Sequence, residues 1–176
     1  MLKKISMLAL LLFAIGAQAQ TDKATTARII EEKNYSFIAT TAIPLNSTDI
    51  SNILMKMPGG NAGGTINLSG SLYDVVVNKD SVVAYLPFYG RAYTATMNND
   101  ENGYKFTSKK FTYETIKKKK GWNIMINSKD VKNNVRMNLD ISENGYASLS
   151  VISNNKQSIS YSGYISENKV DKNKSE

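Results

Sequence analysis

Apolar and polar residues alternate with a period of two through much of the chain after Tyr35, and this pattern limits what the chain can fold into. The clearest example is residues 135–142, where Val, Met, Leu and Ile alternate with Arg, Asn, Asp and Ser. Because successive side chains of a strand point to opposite faces, this segment has one apolar and one polar face. The pattern predicts a sheet that buries one face and exposes the other to water.

About nine or ten short segments with strand patterns follow one another, and no long helical segment separates them. Parallel strands need long crossover connections, so the spacing predicts antiparallel pairing, mostly between consecutive strands. Asn102-Gly103 and Asn144-Gly145 are typical of hairpins, because a type I′ turn needs two residues with positive φ. The predicted strands are residues 35–40, 72–78, 81–86, 91–97, 104–108, 111–116, 122–127, 135–142, 147–151 and 159–165.

An open sheet of this width would leave long unpaired edges, which promote association with other chains. We therefore expect the sheet to close on itself, and a barrel-like closure is favoured over a sandwich of two sheets. Residues 21–33 carry their apolar side chains on one side, as in a short helix that packs on the sheet. The predicted fold class is all-β with a short N-terminal helix, built as an antiparallel meander of about nine or ten strands.

Residues 1–19 have the pattern of a cleaved secretory signal. Two lysines precede an apolar run at 7–15, and Ala17-Gln18-Ala19 has the small residues of a cleavage site. The run is much shorter than the roughly 20 residues that span a membrane. We expect cleavage after Ala19 and export, either to the periplasm or into the medium; an uncleaved anchor is the alternative. Gln20 stands where a lipoprotein has cysteine, so neither a lipid anchor nor a transmembrane segment is expected in the mature chain.

The rest of the chain has the length of one domain. We divide it into a helical segment at 20–32, an antiparallel β domain at 33–167 and a disordered tail at 168–176. The connection at 45–70 is long for a compact domain, and residues 50–57 within it have apolar side chains at helical spacing. A short amphipathic helix there could be a packing lid without a ligand, or a gate over the mouth of a barrel.

The chain contains neither cysteine nor histidine. This composition excludes Ser-His-Asp triads, Cys-His dyads, Cys/His zinc sites and disulfides. The Asn98-x-Asp100-x-Asn102-Gly103 pattern resembles the start of a calcium loop, but Lys109 occupies the twelfth position, where that loop needs glutamate. No spacing rule brings two carboxylates together. We therefore predict no catalytic residue, no metal site and no cofactor.

The formal net charge is +7, and it falls to +5 if Lys3 and Lys4 leave with the predicted signal. Nucleic acid is not expected as a partner of an exported protein, so this charge would serve solubility or contact with anionic envelope surfaces. Residues 117–120 are four consecutive lysines. They could contact anionic glycolipid or phosphate, but lysine is also easily placed in a surface turn and discourages association at sheet edges.

The most distinctive segment is the sequence Leu-Pro-Phe-Tyr-Gly-Arg-Ala-Tyr at 86–93. Proline interrupts a strand, and glycine permits a turn or bulge. Tyrosine and arginine are enriched at binding hot spots, so a recognition patch is one interpretation. A corner of the barrel packed by aromatic side chains is the other. The candidate ligand-binding residues are Tyr85, Phe88, Tyr89, Arg91 and Tyr93.

The same segment carries a resemblance to a known family. Residues 79–93 resemble the secreted Bacteroidota proteins numbered 4251 in the series of domains of unknown function, and residues 35–39, 145–149 and 155–163 support the resemblance. It extends over roughly 33–167. The resemblance implies an exported envelope protein of a Gram-negative bacterium. It implies no activity and no functional residues.

Three functions are compatible with these patterns. The favoured one is a non-enzymatic module in which a β-barrel binds a small apolar or amphiphilic ligand. The second is a structural or interaction protein that docks to another envelope component through the Tyr/Arg segment or an edge strand. The third, and the least favoured, is a hydrolase that uses Asp, Glu, Lys or Tyr.

Overall fold

The computed structural model describes residues 21–45, 64–93 and 103–168. The predicted signal, the helical pattern at 50–57 and the calcium-like pattern before Gly103 lie outside these residues. Within these residues the chain forms one helix, α1 (Lys23–Glu32), and ten strands. The strands are β1 (Tyr35–Pro44), β2 (Ile66–Asn67), β3 (Asp74–Val77), β4 (Val82–Leu86), β5 (Tyr104–Ser108), β6 (Phe111–Lys118), β7 (Gly121–Ser128), β8 (Arg136–Ser142), β9 (Tyr146–Ser153) and β10 (Lys156–Glu167).

The strands form one antiparallel sheet in the order β5-β4-β3-β1-β10-β9-β8-β7-β6, with the short β2 also pairing with β1. The first long strand therefore lies beside the last. The two outer strands, β5 and β6, follow each other in sequence and are separated by Lys109 and Lys110 alone. This order bends the nine-stranded path into a nearly closed, barrel-like sheet. The predicted fold class is confirmed.

Helix α1 closes one end of the sheet. It begins where the Asp22 carboxylate accepts hydrogen bonds from the backbone N–H groups of Ala24 and Thr25, at 2.9 and 3.0 Å, as an N-cap should. The Thr25 hydroxyl also donates to this carboxylate, and the hydrogen bonds, chiefly the two from Thr25, lower the pKa of Asp22. Ile29 and Ile30 are buried against the strands. Arg28 holds the helix to the end of β10 through Glu167, at 2.8 Å.

The inward face of the sheet is filled by large side chains. Tyr35 on β1 reaches β6, where its hydroxyl lies 3.1 Å from that of Tyr113, and burial raises the pKa of both phenols. Strands β1 and β6, which are not neighbours in the sheet, are therefore connected across the interior of the β domain. The largest fully buried side chains are Tyr35, Tyr161, Phe37, Ile29, Leu86, Ile124, Ile126, Leu139, Leu149, Ile159 and Ile165.

The prediction of a strand at 91–97 is wrong for residues 91–93, which the structure describes. Over residues 91–93 the structure has only an isolated bridge between Ala92 and Lys156, and residues 94–97 lie outside the description. Pro87 and Gly90 explain the difference, because each interrupts the regular pairing that a strand needs. Strand β2 was not predicted, since two residues are too few to show a period.

The close approach of β7 to β8 supplies a test of the barrel. Gly121 has a φ of 148°, and a Cβ there would lie 2.0 Å from the carbonyl oxygen of Ile141. We expect Gly121→Ala to lower the free energy of unfolding by at least about 2 kcal/mol, because backbone must move to accommodate the methyl group. Urea denaturation measures this change.

The matched control is Gly70→Ala. Gly70 also has a positive φ, 88°, but a Cβ there would meet no described atom within 4 Å. Gly70→Ala should lower the free energy of unfolding by only about 1 kcal/mol, the cost of a positive φ for a residue with a Cβ. Equal losses at the two positions would show that the contact with Ile141 does not constrain the sheet.

Candidate functional site

The structure gives the five predicted site residues different surroundings. Tyr85 lies on the outer face, 47% exposed, with its ring 5.4 Å from that of Tyr73. Phe88 and Tyr89 are partly buried and pack against the core. Arg91 and Tyr93 are exposed. Two of the five residues thus contribute packing, and three contribute accessible surface.

The segment after β4 crosses the end of the sheet opposite helix α1. Its backbone is bound along its length: the Tyr161 hydroxyl donates to the Pro87 carbonyl at 2.6 Å, and the Gln157 N–H donates to the Arg91 carbonyl at 3.0 Å. Burial raises the pKa of Tyr161 far above its usual value, so this hydroxyl stays a donor. Phe88 then meets Tyr104 edge to face, with ring centroids 6.0 Å apart. This geometry matches the interpretation of the segment as an aromatic corner.

A groove of about 320 Å³ lies beside this corner, and we call it the seam groove. Gly103 and residues 104–107 of strand β5 form one side. The connection between β7 and β8, through residues 130–133 and Val135, forms the other. The turn between β9 and β10 completes it. The groove exists because β5, among the described residues, pairs with β4 alone.

Lys156 is a buried cation in the lining of the seam groove. The residue is only 7% exposed, and its Nζ donates to the Gly103 carbonyl at 2.7 Å. The same Nζ lies 5.2 Å from the ring centroid of Phe88 and 5.0 Å from that of Tyr104. Such cation–π contacts stabilise an ammonium group that is partly removed from water. The aromatic corner therefore holds a positive charge at the groove.

Sequence reasoning missed Lys156. Ile159 is buried, so a regular alternation along β10 would turn Gln157 inward and Lys156 outward. The pairing of β10 with β9 shifts register between Lys156 and Ile159, and this irregularity turns Lys156 inward. No feature of the sequence that we recognised signals the shift.

Asp130 anchors the turn between β5 and β6, the two outer strands of the sheet. Its carboxylate accepts hydrogen bonds from the Ser108 hydroxyl and from the backbone N–H groups of Lys109 and Lys110, the latter two at 2.8 and 3.0 Å. These bonds, led by the one from Ser108, lower the pKa of Asp130. The turn between the two outer strands is thereby fixed to the connection between β7 and β8.

The seam groove is lined by more cationic than anionic side chains among the described residues. These are Lys105, Lys132 and Lys156, with the carboxylate of Asp130. Both oxygens of that carboxylate already accept hydrogen bonds from the β5–β6 turn. Apolar side chains such as Phe106 and Val131 lie in the same lining. The groove can therefore contact an apolar group and an anion together.

A second depression, of about 420 Å³, lies on the outer face of β1, β3 and β10. It is lined by Asp74, whose pKa burial raises, and by Glu167, whose pKa the hydrogen bond from Arg28 lowers. Opposite shifts are typical of acid–base pairs. However, Asp74 and Glu167 stand on strands that flank β1, opposite Ile38 and Tyr35 respectively, and Glu167 is bound to Arg28. The two carboxyls do not form a catalytic pair in this arrangement.

Residues 21–45, 64–93 and 103–168 contain no group of three or more metal-ligating side chains that could hold an ion. In the same part of the chain, no helix is both long enough and apolar enough to cross a membrane.

The role of Asp130 can be tested by pH. Because its pKa is lower in the folded chain than in the unfolded one, its contribution to stability is present above about pH 4 and is lost as pH falls through the folded pKa. We expect Asp130→Asn to lower the urea midpoint at neutral pH. The difference from the unmodified chain should shrink as the solution is acidified.

Asp80→Asn is the control, since Asp80 lies in an exposed turn. It should leave the midpoint unchanged. Hydrogen exchange at the N–H groups of Lys109 and Lys110 should become several-fold faster in Asp130→Asn, because both donate to the carboxylate. Unchanged exchange at these two amides would contradict a role for Asp130 in anchoring the β5–β6 turn.

No curated protein matches the chain. A sequence model of the family described as "Domain of unknown function (DUF4251)" matches residues 17–165, which is most of the chain. The resemblance that the residue patterns predicted is confirmed at the level of the family, and the chain belongs to this family of domains of unknown function.

Proposed function

We propose that this chain is a non-enzymatic binding module that takes a small amphiphilic ligand with an anionic group into the seam groove. The observation that carries the proposal is the lining of one groove of about 320 Å³ by apolar side chains and three lysines. Sites for small ligands have volumes of about 300–1,000 Å³, so the groove suits a small molecule or part of a larger one. Export to the periplasm or the medium, expected from residues 1–19, belongs to the same proposal.

Lys156 supports the choice of an anion. Its Nζ donates to the Gly103 carbonyl and lies 5.2 and 5.0 Å from the ring centroids of Phe88 and Tyr104, so the ammonium group is positioned before a ligand arrives. A preorganised charge loses less entropy on binding than a mobile one. A charge-assisted hydrogen bond in such surroundings is worth roughly twice a neutral one. Lys105 and Lys132 are exposed at the rim of the same groove, where their ammonium groups can contact the same anion.

We propose the seam groove, rather than the interior of the barrel, as the place where the ligand binds. The interior positions that a lipocalin-like ligand would need carry Tyr35, Phe37 and Tyr161, all fully buried. Small barrels can either be filled by side chains or hold one small ligand. Here side chains occupy the described interior, and the favoured space lies where the circle of strands is incomplete.

A second candidate is a docking module for another envelope protein. Strand β5 has a hydrogen-bonded neighbour on one side, β4, and faces the groove on the other. An extended peptide could add to such an edge through backbone hydrogen bonds. An unfilled groove and a protein partner captured by crosslinking in cells would favour this function over the first.

The first experiment is native mass spectrometry of the protein as its own cells process it, purified from their envelope fraction. We expect an excess mass that is lost on denaturation. Titration with decanoate and with decanol then separates charge from apolarity, because the two probes share their chain and differ in the head group. Decanoate should bind and decanol should bind much more weakly.

Lys156→Met removes the charge and keeps an apolar stem. We expect it to weaken decanoate binding by about tenfold or more, the equivalent of one charge-assisted hydrogen bond. Lys132→Gln, at an exposed position, should weaken binding without affecting the fold, and Lys79→Met, on the turn between β3 and β4, should not weaken it. Equal decanoate affinity in all variants, or no bound mass and no titration, would overturn the proposal.

A further inference from the structure

The connection between β6 and β7 concentrates positive charge on one small surface. Lysines 117–120, which we call the basic turn, are all exposed. Lys118 ends β6 and pairs directly with Gly121 at the start of β7, so Lys119 and Lys120 form a two-residue turn. The sheet therefore places four consecutive lysines at the end of one hairpin.

Nearby carboxylates neutralise only one of these four charges. Asp140 on β8 forms an ion pair with Lys118, and this contact, together with a hydrogen bond from Asn123, lowers the pKa of Asp140. Glu143, in the turn between β8 and β9, forms its ion pair with Lys23, at 2.7 Å. Among the described residues, Lys117, Lys119 and Lys120 take part in no ion pair. Three positive charges remain.

Exposed apolar side chains adjoin these lysines. Ile116, two residues before Lys118 on the same strand, is 52% exposed, and Tyr146 at the start of β9 is 53% exposed. Tyr146 lines one depression of about 480 Å³ together with Lys118, Lys120 and Trp122. Cations beside an aromatic ring and an aliphatic side chain form the combination found at membrane interfaces, where tyrosine lies at the level of the headgroups.

We propose that the basic turn, with Ile116 and Tyr146, is a docking surface for the anionic phospholipid headgroups of a bilayer. Charge complementarity carries the choice of occupant, because each lysine near an anionic bilayer adds measurably to binding. Solubility alone would be served equally well by lysines scattered over the surface. A membrane requires them together, beside side chains that can enter the interface.

The surface is separate from the seam groove. Gly121 and Ser142 form one end of the β7–β8 ladder, next to the basic turn, whereas Asn127 and Arg136 form the other, next to the groove. Binding to a bilayer therefore does not depend on the proposed small ligand, and each can be measured without the other.

The test is co-sedimentation with vesicles of phosphatidylcholine, with and without phosphatidylglycerol, using the protein as its own cells process it. We expect binding only when phosphatidylglycerol is present, and weaker binding as salt is raised, because salt screens exposed charges. Replacing Lys117, Lys119 and Lys120 together by glutamine should weaken binding by about 100-fold. Tyr146→Ser should weaken it several-fold and leave the salt dependence unchanged.

The matched control replaces Lys79, Lys110 and Lys129 by glutamine, three exposed lysines away from the basic turn that give the same change in net charge. It should retain most of the binding. Equal losses in the two triple variants would show that overall charge acts, and would overturn the proposal. So would equal binding to vesicles of phosphatidylcholine alone, or displacement from vesicles by millimolar glycerol phosphate, which would indicate a site for a free phosphate ester.

Discussion

The pairing of β1 with β10 is the constraint on which the rest of this structure depends. It joins the two ends of the β domain, from Tyr35 opposite Glu167 to Pro44 opposite Ile159. Such contacts between distant parts of a chain must overcome a large loss of chain entropy. Gly163 allows the two backbones to come close, because a Cβ there would lie 1.9 Å from the carbonyl oxygen of Ile38. Without this pairing, the strands on either side would have no common core.

The same pairing determines where the sheet remains open. Once β1 and β10 are neighbours, the strands on each side continue outward to β5 and β6, which meet at the Lys109-Lys110 turn. The two outer strands diverge beyond that turn. Asp130 holds the end of β5 and this turn through hydrogen bonds, and the seam groove lies next to it. The candidate site is therefore a consequence of incomplete closure.

Much of the fold could be predicted from local patterns. The alternation at 135–142 corresponds to β8, and the hairpin signal at Asn144-Gly145 corresponds to the turn into β9. These features depend on side chains close in sequence. The segment at 86–93 was recognised as unusual, but its pattern could not tell packed from exposed aromatics. Phe88 and Tyr89 are packed because Tyr161 and Lys156, some seventy residues later, lie beneath that segment.

The seam groove could not be predicted, for a related reason. Period-two reasoning assigns a face to each residue only while the register is regular, and Lys156 stands at a register shift. The contact of Asp130 with the β5–β6 turn could not be predicted from the sequence either. It forms because the stagger of the whole sheet brings the β7–β8 connection beside that turn. A feature created by irregular pairing leaves no periodic signal in the sequence.

The distance between the two proposed surfaces has a physical consequence. The β7–β8 ladder between them spans seven residues, or roughly 20 Å. Exposed charges are screened over about 8 Å at physiological salt. Headgroups bound at the basic turn would therefore contribute little potential at Lys156, and would not compete with an anionic ligand for the groove. With the basic turn on a bilayer, the groove would lie at the far end of the ladder, where a ligand can reach it from solution.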